Sequence, residues 1–282
     1  AKEYSIFTSP TRLDAVAEDF VKHYSQRRNA VAGGNSKALM VCIDKITCVK
    51  MYDLIADKWK VLGDVLEKEL VADESAFAAK YPERPIPRII QQKRARLEWM
   101  RETEFCVVVS SEQGEVEEFR KWTNHRGEPL EIAPHRAKMT SRNLEKEFKK
   151  AENPFRLSIV CAMWLTGFDV KSLATLYLDK PMQGHTLMQA IARVNRVGGG
   201  KANGLIIDYN GMIKSLRKAL ATFAQGDRDG RVEVGEGEDP GYLEDDDEAI
   251  AEYAASIQHA TEFLTDLCLL YTSPSPRDKR QS

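Results

Sequence analysis

Five short apolar runs, spaced along the first 210 residues and separated by amphipathic stretches, constrain this chain more than any other feature. They are Ala38-Leu39-Met40-Val41-Cys42-Ile43, residues 105–109, residues 157–161, residues 174–178 and residues 204–208. They are apolar almost throughout and do not alternate with polar residues, as expected of strands covered on both faces. The stretches between them carry helical spacing. Leu13, Val16, Phe20, Val21 and Tyr24 mark a helix over 10–28, and Val49, Tyr52, Leu54, Ile55 and Trp59 mark a second. Residues 115–122, 141–150, 185–197 and 211–224 predict further helices. Strands alternating with helices predict an α/β domain with a mainly parallel sheet in three layers. In such a sheet, ligands bind at the carboxyl ends of the strands.

Three regions fall outside that rhythm. Residues 63–104 are charged and helix-prone, broken by Pro82, Pro85 and Pro87, and read as a helical insertion. Residues 226–248 read as an acidic linker, followed by a helical segment over 249–267. Residues 268–282 are rich in Ser, Pro and Arg and read as a non-native tail. The start at Ala1-Lys2-Glu3-Tyr4 carries no signal-peptide pattern and reads as a break inside a longer protein.

The formal net charge of −2 hides an asymmetry. Residues 227–248 hold eleven acidic residues against Arg228 and Arg231, a local −9, whereas residues 1–225 hold 36 basic against 28 acidic, giving +8. A basic body suits a polyanion, although many ordinary domains share it. The five cysteines show no CxxC and no metal-ligand spacing. Cys42, Cys106 and Cys161 read as small buried hydrophobes of a reducing cytoplasm. No apolar run approaches the roughly 20 residues of a membrane helix.

Two motifs carry chemistry. Thr166-Gly167-Phe168-Asp169, just past an apolar strand, offers a hydroxyl, close backbone approach and a carboxylate; alone it could equally be a polar turn. On the 185–197 helix, Gln189, Arg193 and Arg196 share one stripe, because offsets of four and seven residues return to the same face. Leu187, Ala190, Ile191, Val194 and Val197 take the other side. Two guanidinium groups beside an amide suit the oxygens of a triphosphate. A solvated Arg/Gln face is the bland alternative.

Together these motifs resemble motifs V and VI of superfamily 2 helicases and translocases. The fuller text, Met163-Trp164-Leu165-Thr166-Gly167-Phe168-Asp169, Tyr177-Leu178-Asp179-Lys180-Pro181-Met182 and residues 187–197, resembles the restriction subunit of type I restriction enzymes. The likeness extends through Gly204-Leu205-Ile206-Ile207-Asp208-Tyr209, and Lys37 to Leu54 is similar to that family's motif IV strand and helix. Pro134-His135-Arg136 belongs to a looser similarity between.

The resemblance implies a RecA-like second motor domain over 1–225 of a double-stranded DNA translocase, working with ATP and Mg²⁺ held mainly by a first RecA-like domain. Arg196 would be the arginine finger, Arg193 would assist and Gln189 would orient. Gly167 and Asp169 would couple DNA contact to the nucleotide, and Thr166, His135 and Arg136 would contact DNA. The implied partners are DNA, the first domain, and the modification and specificity subunits of a cytoplasmic complex.

The sequence holds no GxxxxGK[ST] loop. Asp73-Glu74-Ser75-Ala76 and Glu147-Phe148-Lys149 imitate a Walker B acid and a nuclease ExK, but both sit in charged helical stretches. From residue type alone, His125 and His135 read as loop residues rather than ligands or bases. Two alternatives stay open: another superfamily 2 member, such as a remodeller-like ATPase, or a non-catalytic DNA- or nucleotide-binding module.

Overall fold

The computed structural model describes residues 2–30, 36–165, 170–182, 184–194 and 204–212. The expected segments at 226–248, 249–267 and 268–282, and the helix at 211–224 beyond Met212, lie outside these residues. All described residues fall within the first of two units, Ala1–Leu220.

Five strands form one sheet: β1 (Lys37–Cys42), β2 (Glu104–Val108), β3 (Phe155–Val160), β4 (Leu173–Asp179) and β5 (Leu205–Asp208). Their order is β2-β3-β1-β4-β5 and every pairing is parallel. β1 lies at the centre and is wholly buried, as the apolar run from Ala38 to Cys42 leads one to expect, with Lys37 buried at its start.

Alternate side chains divide between two faces. Met40, Val107, Ile159 and Tyr177 face a core shared with α2 (Pro10–Tyr24), α3 (Lys45–Lys80) and α4 (Arg88–Glu102). Leu39, Val160, Leu176 and Leu178 are buried on the other face. There α7 (Leu144–Lys149) packs on β3, and α8 (Gly184–Val194) on β4 and β5. The three-layer α/β arrangement expected for a RecA-like domain is present.

Local chemistry explains the helix boundaries. Pro10 opens α2, where the missing N–H costs nothing, and Leu13, Val16, Ala17, Phe20, Val21 and Tyr24 form its buried stripe. Tyr24 meets Trp59 and Trp99 at ring-centroid distances of 5.8 and 5.4 Å, and Phe20 meets Tyr177 at 4.6 Å. Such aromatic pairs contribute about 0.5–1.5 kcal/mol each beyond simple burial.

The second predicted helix and the start of the charged stretch are one 36-residue helix, α3. Asp44 caps it by accepting from the Thr47 amide at 2.7 Å. Gly63 sits within it facing open space, where glycine costs roughly 1 kcal/mol without breaking a long helix. Pro82, Pro85 and Pro87 end the run, and α4 turns back along it. Lys93–Asp73 at 2.6 Å, Arg94–Glu74 at 2.7 Å and Arg101–Glu67 at 2.6 Å join the two helices. The Walker B look-alike is therefore half of an interhelical ion-pair ladder.

The Glu147-Phe148-Lys149 look-alike lies on α7, with Phe148 in the core, Glu147 on Arg142 and Lys149 on Glu145. Three further α-helices complete the description, the first being α1 (Lys2–Phe7) ahead of α2, with a 3-10 turn at Arg27–Ala30 after α2. α5 (Glu115–Arg120) was expected, whereas α6 (Ala133–Ser141) places His135 on a helix instead of a loop. Among the described residues no helix is long and apolar enough to cross a membrane.

Candidate functional site

At the carboxyl edge of the sheet the chain enters both motif-bearing segments: β3 ends there before residue 161, and α8 begins at Gly184 past the end of β4. β3 ends at Val160, and the connection to β4 begins with Cys161 and Trp164. Trp164 has φ 67°, the one positive-φ non-glycine among the described residues. An indole in the left-handed region costs on the order of 1 kcal/mol or more and persists only when its surroundings hold it. Here the ring packs on Phe148 at 5.5 Å and Phe155 at 6.3 Å. Leu165 and Val170 are both buried. Thr166, Gly167 and Asp169 between them lie outside the described residues. Lys180, just past β4, donates to the Cys161 carbonyl at 2.8 Å and so holds the root of the same connection.

On α8, Leu187, Ala190, Ile191 and Val194 are buried, the face read from the sequence as packing on the sheet. Gln189 is half-buried on that helix. Arg193 belongs to the helix, with its side chain outside the description, and Arg196 lies beyond the described residues.

The other expected DNA contacts separate sharply. His135 is 5% exposed, its ring edge-on to Tyr52 at 4.5 Å. Burial, with Lys138 adding to it, pushes its pKa down to about 4, so the ring is neutral at pH 7. Arg136 forks onto Glu115 through two bonds of 2.7 Å and donates to the Val109 and Ser110 carbonyls at 3.1 and 3.3 Å. It thereby fastens α6 and α5 to the tip of β2. Its guanidinium borders an open cavity of about 830 Å³, which Ser110, Ser111, Ser141, Arg142 and Trp164 also line. Arg136 reaches the carboxyl edge; His135 supports it from within.

Several residues that shape this edge escaped the sequence reading. Asp179 ends β4 at 1% exposure, and Arg12 of α2 pairs with it at 2.5 Å. The same guanidinium donates to the Tyr209 carbonyl and the Asn210 side-chain oxygen, each at 3.1 Å. Burial raises the Asp179 pKa and Arg12 opposes that rise. Asn210 in turn donates to the Leu178 carbonyl at 3.0 Å, so one cluster joins α2 to the ends of β4 and β5. Arg142 bridges Glu104 and Glu147, and its hydrogen bonds hold the Glu104 carboxyl down at about 2. The one available signal was a polar Asp-Lys directly after the apolar run 174–178, which had to find partners or water. Among the described residues no group of His, Cys, Asp and Glu could hold a metal ion.

Comparison with known proteins follows the same residues. Residues 102–211 match the family model of type I restriction enzyme subunit R domain 3. The type I restriction enzyme HindI endonuclease subunit of Haemophilus influenzae is 33% identical over 227 residues, covering 79% of this chain and 17% of that protein. The putative MjaIXP endonuclease subunit of Methanocaldococcus jannaschii is 32% identical over 225 residues, covering 79% and 16%. Among solved structures, the fragment of a putative HsdR subunit of a type I restriction enzyme from Vibrio vulnificus aligns with TM-score 0.39 and 17% identity, over 78% of this chain and 31% of that one. The chain thus spans less than a fifth of the length of the curated relatives it matches.

Proposed function

This chain belongs to the type I restriction enzyme R-subunit family, and from that premise we propose that it is the second motor domain of an ATP-driven double-stranded DNA translocase. The observation that carries the reading is the seating of α8. Its Leu187, Ala190, Ile191 and Val194 side is buried against the sheet, and Gln189 lies off that side. By helical periodicity, residues four and seven positions after Gln189 share its stripe.

The donor set fits a triphosphate held between two domains. An amide and two guanidinium groups can bind and neutralise phosphate oxygens, and the sequence holds no loop to wrap them alone. Arg196 would stabilise the charge that grows on the transferring phosphoryl group, with Arg193 assisting and Gln189 orienting. Bound Mg²⁺, held mainly by a first motor domain, would supply charge neutralisation. Thr166 would contact the DNA backbone, with Gly167 and Asp169 coupling that contact to the nucleotide. Arg136 would meet DNA at the rim of the cavity beside β2 with its charge shared with Glu115, and His135 would hold α6 in place beneath it. The first motor domain and the modification and specificity subunits, in a cytoplasmic complex, would be the partners.

The test is DNA-stimulated ATP hydrolysis by the complete R subunit. Arg196→Ala should lower turnover by a factor on the order of 10³ with nucleotide binding largely retained. Translocation at the normal rate in that variant would remove the finger from Arg196.

A further inference from the structure

α6 separates two cavities. Arg136, Met139 and Thr140 line the open one beside β2, whereas Pro134, His135 and Lys138 line a second of about 210 Å³. The remaining walls of this smaller cavity are Tyr52 and Asp53 of α3 and the loop 124–131. That loop is a built turn. Thr123 and Pro129 form an antiparallel bridge, Gly127 supplies φ 80°, and the Asn124 side chain accepts from the Arg126 and Glu128 amides at 2.9 and 3.0 Å. His125 and Arg126 both reach Asp57 of α3 at 2.8 Å and clamp the loop to that helix.

Most charges at the cavity are already engaged. Arg126 is held by Asp57 and Glu128, Lys138 by Glu104 at 3.1 Å, and Glu131 by Arg120 at 3.1 Å. Two acceptors are left over. Asp53 is half-buried and forms no ion pair among the described residues. Burial raises its pKa against a hydrogen bond from Asn124 and the charge of Arg126, so the carboxylate is short of donors. His135, 5% exposed, fronts the cavity and makes no hydrogen bond among the described residues. Its neutral ring offers one nitrogen lone pair. The Tyr52 ring stands edge-on to it at 4.5 Å, and Asp53 is the next residue of α3.

We propose that this cavity recognises a guanidinium group, for which Asp53 and the His135 ring are the acceptors and Tyr52 is a flanking wall. A guanidinium carries five N–H donors in one plane and no acceptor, so it matches a site whose unmet groups are acceptors on two walls. Two parallel N–H groups can fork onto Asp53 while a third reaches the imidazole. Across the lining, Asp53, Glu128 and Glu131 oppose Arg126 and Lys138, three negative charges against two positive, so an entering cation meets a net −1. Among the described residues no third His, Cys, Asp or Glu completes a metal-ligand set with them. The volume is below the roughly 300–1,000 Å³ of pockets for whole ligands and suits the head of one side chain. This chain spans less than a fifth of its curated relatives, so the group can come from an arginine on polypeptide outside these residues or from a free guanidinium compound.

The experiment titrates the 282-residue chain with N-acetyl-arginine amide while the His135 ring signals, assigned with His135→Phe, are followed by NMR. The citrulline analogue, neutral and nearly isosteric, and the lysine analogue are titrated alongside. The arginine compound should shift the His135 signals saturably with a Kd on the order of 1 mM, as one head group in a small pocket allows. The citrulline compound should bind at least about tenfold more weakly, having lost the charge-assisted bonds, and the lysine compound should fall between. Asp53→Asn should weaken arginine binding by about the same tenfold, its own spectrum reporting that it is folded. A blocked glycine-arginine-glycine peptide binding more tightly than free arginine assigns the polypeptide source; the reverse order assigns the free compound. No saturable shift up to about 20 mM, citrulline binding as tightly as arginine, or unchanged affinity in Asp53→Asn would overturn the pocket. None of these readouts depends on ATP or DNA, so failure here and failure of the motor reading are separable.

Discussion

Removing Arg12 should destabilise this domain far more than removing the carboxylate it pairs with. Asp179 is 1% exposed and no other hydrogen-bond partner for its oxygens is present among the described residues, whereas Arg12 is 20% exposed. Arg12→Ala therefore strands a buried charge, and breaking a buried pair in this way costs about 3–5 kcal/mol. Asp179→Ala leaves a guanidinium that still donates to Phe7, Tyr209 and Asn210, so the cost should stay near 1–2 kcal/mol. The pH dependence has a definite sign. Asp179 already titrates above its unfolded value, so the folded state binds the extra proton and the charged form is the disfavoured one. Without Arg12 its pKa climbs further, and the Arg12→Ala deficit should shrink as pH falls from 7 toward 5. Urea unfolding of wild type, both single variants and the double variant at two pH values measures all of this. A domain of this size should lose roughly 10 °C in Tm for the arginine variant. An Arg12→Ala cost below about 1 kcal/mol, or a larger cost for Asp179→Ala, would refute the reasoning.

Two further pH effects follow from buried bases. His135 stays neutral in the fold down to about pH 4, so wild type should lose about 2 kcal/mol relative to His135→Phe as pH falls from 6.5 toward 4, read by urea unfolding. Lys37 is fully buried in β1 with its Nζ donating to the Phe155 carbonyl at 3.1 Å, and burial, aided by Arg156, lowers its pKa to about 7. The charged form is penalised most below pH 7 and relieved as pH rises toward 10.5, so Lys37→Met should match or exceed wild type at pH 7 and lose that advantage by pH 9.5. A constant difference across that range would sink the Lys37 argument.

All five strands were legible because each centres on a short run that is apolar almost throughout, and such runs in alternation with helical spacing fit a sheet covered on both faces. The apolar side of α8 was legible for a related reason: helical spacing names the buried side without knowing what covers it. Boundaries were harder. Nothing local distinguishes Gly63 inside a helix from Gly63 ending one; the Asp73–Lys93 and Glu74–Arg94 pairs that commit α3 to length 36 come from α4. α6 was invisible because Ala133–Ser141 is short and has no apolar stripe, its position being set by Arg136 and His135 reaching in opposite directions. Arg12 and Asp179 are 167 positions apart, so no pattern within either segment could pair them. Long-range polar pairing, unlike apolar periodicity, leaves no local trace.

That distinction also says where the remaining specificity of this edge resides. The connection leaving β3 is fixed at its root by Lys180 on the Cys161 carbonyl and by Trp164 held in the left-handed region against Phe148 and Phe155. It is fixed at its return by buried Val170, whose carbonyl accepts from the Leu173 amide at 3.2 Å. Neither anchor is a residue to which the family resemblance assigns chemistry. On the proposed motor reading these anchors bear on placement, and a misplacement of about 1 Å can cost a catalytic site roughly 100-fold in rate. Substituting Trp164 should therefore disturb function in the complete R subunit even where Thr166, Gly167 and Asp169 are intact, because the cost falls on placement and leaves the reacting groups unchanged.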